Sequence, residues 1–169
     1  MSFLDNHQES PTDPPRTWPS RYNAMLEALD NATDHVGTRA FLSSAQSVAH
    51  STHVAVELDG ETFDYGGWHD TATNPSQVEV AEAGRYRVYG QVGYAANTTG
   101  DRMAQIRVNG SQATVTLFPP ASLATRMSVS DLLDLAAGDV VELYAWQNSG
   151  STLDLNNTTE VTVLVVEKA

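Results

Sequence analysis

From Thr38 onward, apolar and polar residues alternate with a period of two; only one stretch before it has a helical period. That stretch is residues 20–34. Ser20 is placed to cap it, Tyr22, Met25, Leu26 and Leu29 recur at helical spacing, and Asn31, Asp34 and Gly37 end it, so a short helix with one apolar stripe is predicted. Beyond Thr38, Val54, Val56 and Leu58 alternate with Ala55 and Glu57 up to an Asp59-Gly60 turn. Tyr86, Val88, Gly90, Val92 and Tyr94 share one face of the next clear strand. Ala104, Ile106 and Val108 close on Asn109-Gly110, a strong hairpin dipeptide. Val115 and Leu117 precede a Pro119-Pro120 break, and residues 129–135 form a further apolar stretch. Gly138-Asp139 turns the chain into Val141, Leu143 and Ala145, and residues 161–166 are a β-branched final strand. Short strands with turn signals about every ten residues, and no βαβ pattern, predict an all-β, antiparallel jelly-roll β-sandwich over residues 38–169. Its predicted core is Tyr86, Val88, Val92, Ile106, Val108, Val141, Leu143, Val163 and Val165.

Residues 1–37 break this pattern and read as a separate unit. Four of the seven prolines fall within residues 1–19 among few apolar side chains, which predicts an extended arm rather than a packed domain. An arm followed by a helix with one apolar stripe needs something to dock on, so residues 1–37 read as an attachment device. Phe3, Leu4, Trp18, Tyr22, Met25 and Leu26 are its expected anchors. Residues 1–9 are polar and acidic without an apolar h-region, which predicts no secretory signal peptide. No apolar run approaches the roughly 18 residues of a membrane span, so no membrane insertion is expected.

Composition narrows the partners. The net charge of −12 argues against nucleic acid, because neutralising phosphates needs clustered Lys and Arg. Lys168 is the sole lysine, a usage that fits either a GC-rich genome or a halophilic host, where an acidic, Lys-poor surface stays hydrated. Without cysteine there is no disulfide and no thiolate chemistry.

Several short segments occur in a recognisable order. They are Phe63-Asp64-Tyr65-Gly66-Gly67-Trp68-His69-Asp70, then Ala83-Gly84-Arg85-Tyr86, then Gly100-Asp101-Arg102 leading into Ile106-Arg107-Val108-Asn109-Gly110. Ala137-Gly138-Asp139-Val140-Val141-Glu142-Leu143 and Gln147-Asn148-Ser149-Gly150 complete the series. Locally, Gly84 and Gly138 sit where a turn feeds a strand and φ > 0 is expected, and Asp139 can bond the backbone of its own turn. Gly66-Gly67 permits a bulge or a close approach of chains. In this order the segments resemble the tumour-necrosis-factor-like jelly roll, in the complement globular-head-like version common in tailed-virus structural proteins. The resemblance implies a ten-stranded sandwich that forms a homotrimer, with one sheet toward the three-fold axis and the loops at one end meeting the ligand. The collagen-like stalk of that family has no counterpart here. Tyr144 and Trp146 point away from Val141, Leu143 and Ala145, so both faces of their strand carry apolar mass, and the pair is expected at the trimer interface.

No pattern selects a catalytic site. His50 and His53, three apart on a strand, face opposite ways and are badly placed to share an ion, even with His69, Asp64 and Asp70 nearby. Asp131, Asp134 and Asp139 read as turn and edge residues in preference to a calcium site. No paired carboxylates, nucleophile elbow or phosphate-cradling loop appears. Asn31, Asn97, Asn109, Asn156 and Asn157 each begin an Asn-x-Ser/Thr triplet, which an Asn- and Thr-rich chain generates by chance. The expected protein is therefore not an enzyme and needs no cofactor or metal. It is expected in the virion of a tailed virus, as a trimeric decoration, turret or fibre module. Its expected partners are its own copies, capsid or tail proteins and a host surface glycan or protein. The alternative is a secreted or cell-surface module recognising carbohydrate or protein.

Overall fold

The period-two pattern becomes strand. The computed structural model describes residues 36–157 and 161–169; the expected arm, the helix over 20–34 and all six expected anchors lie outside these. The strands are β1 (Gly37–Phe41), β2 (Ser47–Val48), β3 (Val54–Ala55), β4 (Gly60–Asp64), β5 (Gln77–Glu79) and β6 (Gly84–Tyr94), followed by β7 (Arg102–Val108), β8 (Ser111–Phe118), β9 (Thr125–Leu135), β10 (Val140–Gln147), β11 (Leu153–Asp154) and β12 (Val163–Lys168). The first sheet has five strands in the order β4-β1-β12-β6-β9. The second also has five, β3-β10-β7-β8 with β5 on β10, and β11 pairs β2 apart from both. Every strand pair in these sheets is antiparallel. Apart from the β7–β8 hairpin and the β2–β11 pair, successive strands alternate between the two sheets in jelly-roll fashion, and the ten strands the resemblance implies are present.

The core lies between the inner faces. Tyr86, Val88, Val92 and Tyr94 of β6 meet Ile106, Val141 and Leu143 of the opposite sheet, and each is 0–1% exposed. Gly90 sits among them because Leu143 leans onto it: an added Cβ would come within 2.6 Å of the Leu143 Cδ1. Tyr94 ties the sheets together. Its buried hydroxyl donates to the Met103 carbonyl (2.6 Å) and accepts the Trp146 N–H (3.0 Å). Tyr86, as expected, packs inward, its hydroxyl donating to the Glu82 carbonyl.

Two core expectations need correction. Val165 and Val108 are only half-buried. The residues of β12 opposite Gly90 and Val88 are Leu164 and Val166, and both point inward; Val165 opposes Tyr89 on the outer face, and Val163, opposite Gln91, is buried as expected. The final run is apolar at nearly every position, so alternation could not set its parity. Gly84 also differs. It enters β6 without positive φ, while Gly138 (φ 84°) and the Asn109-Gly110 pair (φ 51° and 76°) turn through the left-handed region as expected. Asp139 accepts the Ala136 N–H (2.8 Å) within its own turn.

Candidate interaction surface

Strand register assembles a surface on the outside of the second sheet. Trp146 lies opposite Met103, which lies opposite Leu117. One step along, Tyr144 lies between Ala55 and Gln105, and Gln105 faces Val115. One apolar row therefore crosses β10, β7 and β8, and beside it Tyr144 and Val115 flank the buried amide of Gln105. Leu117 and Val115 are 56% and 40% exposed. Tyr144 and Trp146, the expected interface pair, are half-buried. The Arg107 guanidinium lies 3.9 Å over the Tyr144 ring centre, a cation–π contact, and its N–H groups donate to Gln105 Oε1. The His53 ring stacks 6.1 Å from that of Trp146. Burial, with the Arg107 charge adding to it, lowers the His53 pKa and so disfavours the charged imidazolium there.

The outer face of the first sheet is built differently. Across it run Ser130, Tyr89, Val165, Arg39 and Phe63, with Leu132, Arg87 and Glu167 in the next row. Tyr65, Leu132 and Tyr89 are 74%, 52% and 37% exposed. Tyr65 stacks on Phe63 at 5.1 Å, and two shallow grooves share Arg87 and Glu167. Arg85 pairs with Asp134 at its edge (2.9 Å).

The other residues singled out from sequence hold turns and straps. Asp64 accepts the N–H groups of Trp68 and His69, fixing the Gly66-Gly67 turn beneath the Trp68 ring, which leaves no room for a Cβ on Gly66. The buried His69 ring contacts Glu61 Oε1 (2.7 Å) and the Pro75 carbonyl (3.0 Å). Asp70 accepts the Ala72 and Thr73 N–H groups, and His50 accepts that of Gly150. Asp131 bonds the Leu132 N–H, Asp134 pairs with Arg85, and Asp139 closes its turn with Asn109. These three aspartates do not converge, and among the described residues no three His, Asp or Glu side chains are grouped to hold an ion. Arg102, 1% exposed, was not singled out. Its guanidinium donates to the carbonyls of Asn97, Thr99, Gly100 and Asp101, and so organises the β6–β7 loop. An Arg in a Gly-Asp-Arg segment at a strand start was the only sequence signal for it.

The architecture is that of the tumour-necrosis-factor-like jelly roll. Murine APRIL at pH 5.0 superposes with a TM-score of 0.62 at 16% identity, over 80% of this chain and 100% of that one. Eiger TNF from S. frugiperda gives 0.63 at 14% identity, over 80% of this chain and 92% of that one. Murine APRIL at pH 8.5 gives 0.60 at 15% identity. No family model and no curated protein matches the sequence. At these identities the likeness is one of fold.

Proposed function

We propose that the chain is a self-assembling recognition module, a homotrimer that binds rather than catalyses and serves as a virion structural protein of a tailed virus. The observation that carries self-assembly is the apolar outer face of the second sheet, which a sandwich with one packed face does not need. Tyr144 and Trp146 are the proposed contact pair, extended by Met103, Val115 and Leu117 along the same rows. A second reading places the contact on the first sheet, because Tyr65, Leu132 and Tyr89 are the more exposed groups and Arg107 already covers Tyr144.

Attachment to capsid or tail is assigned to residues 1–37, and the end loops are left to meet a host surface glycan or protein. The support for the virion setting is the resemblance of the ordered sequence segments together with the Pro-rich arm. A secreted or cell-surface module would use the same sandwich. Deleting Met1–Asp34 separates the two: the shortened chain should still associate, and particles assembled with it should lack the protein. Normal incorporation would contradict the assignment of the arm.

A further inference from the structure

Attaching a glycan to asparagine makes a bond between the amide nitrogen and the anomeric carbon of a lipid-linked oligosaccharide. The bond from that carbon to the lipid diphosphate breaks, the lipid diphosphate leaves, and the nitrogen gives up one proton. The acceptor nitrogen must therefore be reachable and not already committed to a hydrogen bond. Of the five triplets in the sequence, Asn31 lies outside the described residues, and the other four asparagines can be compared.

Three of them have spent their nitrogen. Asn109 Nδ2 donates to Asp139 Oδ1 (2.8 Å) while its oxygen accepts the Val140 N–H (2.9 Å), inside a turn at φ 51°. Asn157 Nδ2 donates to the Ser43 carbonyl (2.9 Å), and Asn156 Nδ2 to the Tyr94 carbonyl (3.4 Å). Asn97 is different. The Thr99 backbone N–H donates to its side chain at 2.8 Å. A backbone N–H can only donate, so the atom it meets is the oxygen. The amide nitrogen is turned the other way and bonds no described residue. Asn97 is half-buried, with its backbone bridged to Ala121, while Thr98 and Thr99 are exposed and Thr98 is not proline. Four carbonyl contacts from the buried Arg102 guanidinium, to Asn97, Thr99, Gly100 and Asp101, fix the backbone of this loop.

We infer that Asn97 is the N-glycan acceptor of the folded domain, with a lipid-linked oligosaccharide as co-substrate. The inference stands apart from trimer formation and from the virion setting. It is tested by incubating the folded full-length chain with a purified single-subunit oligosaccharyltransferase and a lipid-linked oligosaccharide, then digesting with trypsin. Cleavage after Arg87, Arg102, Arg107 and Arg126 puts Asn97 in residues 88–102, Asn109 in 108–126, and Asn156 and Asn157 in 127–168. The 88–102 peptide should gain one oligosaccharide, with occupancy at least about tenfold above either of the other two. Asn97→Gln and Thr99→Ala should each abolish that gain, and Thr98→Ala should leave it. The same chain unfolded in urea before a brief reaction should lose the preference among the described sites. An unmodified 88–102 peptide in the folded chain, or equal or greater occupancy at Asn109, Asn156 or Asn157, would overturn the inference.

Discussion

At the scale of single residues, the most informative positions are those where one side chain decides between two packings. Leu143 fills the space over Gly90 and is fully buried, so Leu143→Ala should cost about 2–5 kcal/mol in urea unfolding. A loss under about half a kcal/mol would show that the cavity collapses or that Leu143 is not in the core. The same experiment tests the parity of β12. Val166→Ala should cost more than Val165→Ala, and the reverse order would restore the parity expected from sequence. Asp59 supplies a pH signature. Burial works to raise its pKa, but hydrogen bonds from Ser44 and Ser43 outweigh it and hold the value at about 2, below the ordinary 3.8. A depressed folded pKa contributes stability above the unfolded value that is lost as pH falls from about 4 toward about 2. Asp59→Asn should flatten the fall in Tm over that window. An unchanged slope would mean that other carboxylates account for it.

At the scale of elements, hairpins were the most legible feature and outer-face use the least. Asn109-Gly110 named its own turn, because few other pairs tolerate two successive residues at positive φ. Gly110→Ala should therefore cost about 1–2 kcal/mol through backbone strain, with a change below about 0.3 kcal/mol contradicting the turn. β6 was equally clear, since its polar residues Arg85, Arg87 and Gln91 mark the outer face. β12 has no such markers over most of its length, and its register comes from pairing with β6 and β1. The interaction surface was legible in part. Tyr144 and Trp146 could be read as outward from their own strand, but their alignment with Met103, Leu117 and Val115 depends on cross-strand register. Arg102 was hidden because a buried cation solvated by backbone carbonyls leaves no partner side chain to find. Replacing it, as in Arg102→Met, should speed hydrogen exchange at residues 97–101 far more than at β9; uniform protection would show that the loop holds itself.

At the scale of the whole molecule, two sheets close one core and leave two unlike outer faces. One carries an apolar row with an Arg and a His beside it; the other is aromatic groups set among Arg87, Arg39 and Glu167. A chain with net charge −12 repels its own copies at low salt. Association should therefore strengthen as ionic strength rises, and weakening with salt would point to ion pairs as the main contact. Three copies are expected to assemble through an outer sheet face. Sedimentation equilibrium of the full-length chain at micromolar concentration and about 0.5 M salt, beyond the range of long-distance charge repulsion, tests it most directly. The expected mass is three times that of the 18.2 kDa chain, reduced to one chain by Trp146→Glu with Leu117→Glu. If Leu132→Glu dissociates the trimer and that pair does not, the contact lies on the first sheet. A wild-type chain that sediments as a monomer would contradict trimer assembly.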